Sequence, residues 1–209
     1  MCMDENWEAL TRKDYNTLHS LGVLYGRIHG FFCEGKRDTA SLQRQIRHFA
    51  NSYPVKQLGC GLSTPLPLGA WASLKDFILH DQEVSNLPII ADHVGCATPT
   101  DIGSSSLDDF VQLLHADRIH LKISALYHRS RGSIVDMKPI IQRFADSAPS
   151  APIWCSDWPH VDASSRSPDD QVIPRTTNPK RDLVLLQDWL SIDQSRKMLV
   201  HNPERLLGH

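Results

Sequence analysis

Two polar side chains in this chain of 209 residues stand where proton chemistry is feasible, Asp157 in Ile153-Trp154-Cys155-Ser156-Asp157-Trp158-Pro159-His160 and His93 in Asp92-His93-Val94-Gly95. Each follows an apolar run of strand length. Ionised, Asp157 could take a proton from water while a neutral His93, or a cation, stabilises a developing oxyanion, a pairing suited to general-base chemistry. Spacing alone does not bring them together, and the plainer readings are an aspartate accepting backbone N–H bonds in a turn and a hydrogen-bonded structural histidine. Arg27 and Arg129 could fork onto a substrate carboxylate or pair with acids such as Asp92 or Asp157. Tyr127 could orient a substrate through its hydroxyl or pack its ring under the next loop. A bound metal would need three or more donors; His93 and Asp157 make two, and neither His29 nor His160 has a demonstrable geometry as a third, so none is expected.

The elements that must position these groups alternate. Residues 4–18 read as a helix and 21–28 as a strand, after which Asp38 or Thr39 caps a helix with Leu42, Ile46, Phe49 and Ala50 on one face. Residues 53–60 read as the second strand and the glycines after it as a loop. Trp71, Leu74, Phe77 and Ile78 mark a helix, 87–91 a third strand, Ser106 the start of a helix, 119–123 a fourth strand, Asp136 the start of another helix, and 152–155 the fifth strand. Residues 161–179 are too irregular for a core element and long enough to serve as a lid. Helices over 180–190 and 193–200 follow, with Asn202-Pro203 read as a helix stop and Trp158-Pro159 as shaping the strand end.

Strand and helix alternating five times imply a parallel sheet. With neither G-x-G-x-x-G nor a P-loop present, a (β/α)8 barrel is favoured over a doubly wound sheet. Polar residues near Arg27, Gln57, His93, Ser124 to Arg129 and Asp157 then stand at successive strand ends. Eight units of about 33 residues need on the order of 260, so the reading is one barrel domain over 1–209, incomplete at the amino terminus, from a truncated gene product or a remnant.

Composition narrows the classes further. With 41% hydrophobic and 22% charged residues, a net charge of −2 and no basic stripe, nucleic acid is an unexpected partner. No apolar run approaches the roughly 20 residues of a membrane helix, and Met1-Cys2-Met3-Asp4-Glu5-Asn6 is acidic where a signal peptide is basic, so a cytoplasmic protein is expected. The five cysteines, Cys2, Cys33, Cys60, Cys96 and Cys155, are odd in number and far apart, which reads as reduced, mostly packed thiols.

Ile90-Ala91-Asp92-His93-Val94-Gly95, Leu121-Lys122-Ile123-Ser124-Ala125-Leu126-Tyr127-His128-Arg129-Ser130, Trp154-Cys155-Ser156-Asp157-Trp158-Pro159-His160 and Asn202-Pro203-Glu204-Arg205-Leu206-Leu207-Gly208, in this order, resemble the amidohydrolase-related (amidohydrolase 2) family. The nearest branch is the 2-pyrone-4,6-dicarboxylate lactonase-like hydrolases. The resemblance implies a distorted barrel that hydrolyses an ester, lactone or amide, or in a neighbouring branch a metal-dependent decarboxylase of aromatic acids. It further implies Asp157 as general acid/base, His93 as metal ligand or carbonyl contact, and Arg27 as a substrate-carboxylate binder. Where the lactonase pattern has an arginine after the tyrosine, this chain has His128 followed by Arg129, and the family's His-x-His pair does not occur in it.

The expectation is therefore a hydrolase of a small carboxylated lactone or ester, with Asp157 as general base, His93 polarising the carbonyl, and Arg27, Tyr127, His128 and Arg129 around the substrate. The alternatives are the decarboxylase and a non-catalytic remnant that associates through an open barrel edge and is completed by a partner chain.

Overall fold

The computed structural model describes residues 9–28, 38–130, 132–162, 173–174 and 176–208. Its centre is a five-stranded sheet of β1 (Tyr25–Arg27), β2 (Gly61–Thr64), β3 (Ile89–Ala91), β4 (His120–Ile123) and β5 (Pro152–Trp154), paired in that order. Every pairing is parallel. Strands that follow one another without a reversal of order form a barrel-like arc and lack the switch point of a doubly wound sheet.

Helices α1 (Arg12–Ser20), α2 (Thr39–Ala50), α3 (Tyr53–Leu58), α4 (Leu68–His80), α5 (Ser105–His115), α6 (Leu126–Arg129) and α7 (Lys138–Ser147) occur between or before the strands, and α8 (Pro179–Trp189), α9 (Ile192–Arg196) and α10 (Asn202–Leu207) follow them. The apolar spacing of α2 buries Leu42, Ile46, Phe49 and Ala50, and the Asp38 carboxylate caps its start by accepting from the Ser41 N–H at 2.6 Å. Ser104 caps α5 in the same way. Trp71, Phe110 and Phe144 join α4, α5 and α7 through ring contacts at 5.8 and 5.5 Å.

Alternation along the strands sorts residues between two faces. Leu62, Ile89, Ala91, Leu121 and Ile123 belong to the core with the helices. The register places Arg27 beside Ser63, Ser63 beside Ile90, Ile90 beside His120 and Lys122 beside Ile153 on the other face. At its lower end this face is filled by Tyr25, whose ring would lie 2.3 Å from a Cβ at position 61, so only glycine fits there. Burial pushes the Tyr25 phenol up to about 12.

Four local expectations change. Residues 53–60 are not the second strand: Pro54 sits in the first turn of α3, and the strand is the glycine-led segment previously read as a loop. Gln57 accordingly lies on α3 and not at a strand end, a place taken by Ser63 and Thr64. Asp136 belongs to a 3₁₀ turn, Ile134–Met137, ahead of α7. Asn202-Pro203 is no helix stop, because a π-helical turn, Lys197–His201, carries α9 on into α10. Pro203 falls in the first turn of α10, where it need not donate.

Within the segment read as a lid, Val161–Asp162 (β6) and Ile173–Pro174 (β7) pair antiparallel; 163–172 lie outside the described residues, as do His29, Cys2 and Cys33. Cys60, Cys96 and Cys155 are free thiols. No helix among the described residues is long and apolar enough to cross a membrane.

Candidate active site at the strand ends

Beyond β3, β4 and β5 the backbone turns sharply in the left-handed region. His93 (φ 52°), Val94 (φ 61°), Gly95 (φ 60°) and Cys96 (φ 57°) form a continuous left-handed turn, and Ala125 (φ 55°) and Asp157 (φ 63°) are single left-handed residues. A non-glycine residue there costs roughly 1–2 kcal/mol, and such costs persist where surrounding contacts enforce them, commonly at functional sites. Gly95 is enforced by packing as well as φ, since a Cβ would lie 2.3 Å from the Phe110 ring. The Gly95 N–H donates to the Asp92 carbonyl at 3.0 Å and closes the turn.

These turns bring His93 and Asp157 together. His93 Nδ1 lies 3.1 Å from Ser124 Oγ and 3.4 Å from Asp157 Oδ1, while the Tyr127 hydroxyl donates to Asp157 Oδ2 at 2.8 Å. The His128 ring stacks obliquely on Tyr127 at 4.3 Å, and His160 meets Tyr127 edge-on at 5.7 Å. His128 thus lies against the tyrosine, one ring removed from the carboxylate. Burial lowers the His93 pKa most, with Arg27 and Arg129 adding to that against the pull of Asp157 and Asp92, and the ring is held neutral.

Asp92 forms the floor. Its side chain is only 1% exposed, with Lys122 Nζ at 2.9 Å from Oδ1 and Arg27 Nη2 at 3.2 Å from Oδ2. Ser63 Oγ donates to the same Oδ1 at 2.9 Å and accepts from Lys122 Nζ at 3.0 Å. Burial alone would raise the Asp92 pKa; Lys122 and Arg27 outweigh it and hold the carboxyl below its ordinary value. Arg27 therefore takes the acid-pairing role in this state, although its Nε and Asp92 Oδ2 complete no hydrogen bond among the described residues. Arg129 Nε is likewise buried without a hydrogen-bond partner there.

Ser63 and Lys122 were missed as site residues. The signal for Lys122 was a charged residue between Leu121 and Ile123, where alternation turns it onto the face opposite the core. Ser63 lay in a strand hidden by its glycine. The thiols are poor nucleophile candidates: burial pushes Cys96 up to about 11 and raises Cys155, so both are protonated near neutral pH. Trp158, expected to shape the strand end, is 80% exposed beside Asp157, and its bond to Pro159 is cis.

No three His, Cys, Asp or Glu side chains among the described residues stand together as metal donors. Asp92, the best-buried carboxylate, already shares its charge with two cations. This donor set does not fit a divalent ion, and no step below passes through one.

Residues 82–209 match the sequence profile of the amidohydrolase family, Amidohydro_2. The chain belongs to the amidohydrolase family. A curated relative, the 4-sulfomuconolactone hydrolase of Hydrogenophaga intermedia, is 32% identical over 127 residues, which cover 58% of this chain and 39% of that protein. The matched region is thus well under half of that amidohydrolase relative. Among solved structures, an apo protein of Agrobacterium tumefaciens superposes with a TM-score of 0.68 at 18% identity, covering 95% of this chain and 66% of the other. A Pseudomonas putida protein assigned as a 2-pyrone-4,6-dicarboxylic acid hydrolase gives 0.68 at 15% identity, with 95% and 68% covered. These likenesses show a shared amidohydrolase fold, of the TIM-barrel type.

Proposed function

We propose that this amidohydrolase-family chain carries the machinery for hydrolysing a small carboxylated lactone. The observation that carries the reading is the Tyr127–Asp157–His93 arrangement, in which one carboxylate oxygen is fixed by a phenol at 2.8 Å and the other faces an imidazole at 3.4 Å. The two reacting groups come from the ends of β3 and β5, and Ser124, the partner of His93, lies just beyond β4. The names of the Hydrogenophaga and Pseudomonas relatives, both hydrolases of acidic lactones, support the same substrate class.

In this mechanism the Ser124 hydroxyl donates to His93 Nδ1, which leaves the proton of the neutral ring on Nε2. That N–H donates to the lactone carbonyl oxygen. Asp157 accepts a proton from water as the water oxygen bonds to the carbonyl carbon, and His93 Nε2–H stabilises the oxyanion that forms. When the tetrahedral intermediate collapses, the ring C–O bond breaks and Asp157 returns its proton to the leaving oxygen. The products balance as lactone plus water to hydroxy acid. Tyr127 keeps Asp157 oriented throughout. Arg27, Lys122 and Arg129 against Asp92 and Asp157, with His93 neutral, leave one positive charge, a setting that favours an anionic substrate.

The test is the initial rate of ring opening of 4-sulfomuconolactone and 2-pyrone-4,6-dicarboxylate by the wild-type chain and by Asp157→Asn. The variant should lose roughly 10²–10⁴-fold in kcat, the usual contribution of a general base, with an unchanged circular dichroism spectrum. Retained turnover would remove Asp157 from the mechanism.

A further inference from the structure

Lys122 has no part in the hydrolytic steps, yet it occupies the middle of the site floor. It extends from β4 towards Asp92 and Ser63 on one side, and on the other its charge acts on Cys155, which also feels Asp157. Its side chain is 25% exposed and that of Arg27 31%, similar to His93 at 26% and Asp157 at 21%, whereas Asp92 beneath them is 1% exposed. Four polar groups are thus reachable by a small molecule, and the fifth is sealed below.

One buried carboxylate cannot neutralise two cations. Asp92 holds Lys122 through a short contact on Oδ1 and Arg27 through a looser one on Oδ2, where neither Arg27 Nε nor Asp92 Oδ2 completes a hydrogen bond. Lys122 Nζ has three donors and directs two of them at Asp92 and Ser63. The guanidinium is not committed to a forked pairing, and it can turn to meet an incoming anion without stranding Asp92, which keeps Lys122 and Ser63. A lone arginine on a buried acid would lose as much as it gained from that exchange.

We propose that Lys122 is a specificity-determining residue, completing with Arg27 a two-cation subsite, spaced by Asp92, that selects lactones bearing an acidic group. This rests on the lactone-hydrolase reading and deepens it. Lys122 fixes which substrates are held and leaves the proton transfers to Asp157. Removing its charge should therefore appear in KM and in binding of charged substrates, and hardly at all for neutral ones.

The experiment uses Lys122→Gln, which can keep hydrogen bonds to Asp92 and Ser63 while removing the charge, and Lys122→Arg as the charge-conserving control. Calorimetric titration of 2-pyrone-4,6-dicarboxylate and of its dimethyl ester is performed on Asp157→Asn chains, where turnover does not interfere. Expected is a tenfold or greater loss of dicarboxylate affinity in Lys122→Gln, partial recovery in Lys122→Arg, and a change under twofold for the ester. Kinetics in the Asp157 background should place the effect in KM. Equal weakening for both ligands, a loss confined to kcat, or no dicarboxylate binding before substitution would overturn the proposal. Selective loss of binding in a chain that hydrolyses neither lactone would uphold the subsite and sink the hydrolase reading. Should Lys122→Gln melt more than a few degrees lower, the Lys122→Arg comparison decides, because a structural role alone would not distinguish acid from ester.

Discussion

His93 and Asp92 are neighbours in sequence and opposites electrostatically. Asp92 is buried as an anion because Lys122 and Arg27 surround it; His93 is half-buried as a neutral ring because burial, with Arg27 and Arg129 adding to it, disfavours its protonation. Both effects act on stability in the same direction. Below the ordinary histidine value of 6.5, the unfolded chain takes up a proton at His93 before the folded chain does, and His120, lowered chiefly by burial, behaves likewise. Stability is therefore fully present above pH 6.5 and is lost as pH falls through the folded values. Asp92 adds a further loss as pH drops below 3.8. Urea midpoints measured from pH 8 to 5 should stay level above 7 and decline below 6.5, with a smaller decline in His93→Gln. The acid limb of kcat/KM should have its midpoint below 6.5. A midpoint above that value would mean that His93 is held as the cation, contrary to the neutral donor role proposed for it.

At the scale of elements, the turn after each strand decides where chemistry can occur, and the carboxyl-terminal helices decide whether β5 stays in place. Asn202, read from sequence as part of a helix stop, is buried and donates from Nδ2 to the carbonyls of Pro149 at 3.0 Å and Pro152 at 2.8 Å. It thereby pins the start of the strand that ends near Asp157. Asn202→Ala leaves two carbonyls without that donor and should cost about 1–3 kcal/mol, read as a lower urea midpoint; an unchanged midpoint would show that water replaces the amide fully. The helix was legible and its purpose was not, because periodicity reports which face is apolar and says nothing of which polar residue reaches across to another element. The same limit explains Tyr53–Leu58. Its valine and tyrosine favoured a strand, while Ser52 and Pro54 signalled a helix start that packing then supported. His93, Tyr127 and Asp157 were legible because their motifs end apolar runs; Ser63 and Lys122 were hidden because their meaning depends on register with β3.

For the whole molecule, the sheet has two sides open among the described residues, since β1 and β5 each pair with one neighbour only. Unpaired strand edges invite strand addition, and we propose that this chain associates with a second copy or a partner chain through one of them. Sizing by light scattering over a hundredfold concentration range should show a mass that rises with concentration. A monomer at every concentration would show that the edges are covered within the chain.

The strictly sequential order of the strands also bears on how the site is made in time. Each strand pairs with the one before it in sequence, so these five strands can be added to the sheet one βα unit at a time in chain order. Arg27, Ser63, Asp92 and Lys122 can meet once β4 has docked, and their charges are settled at that stage. Asp157 follows them with β5, onto a floor that is already built.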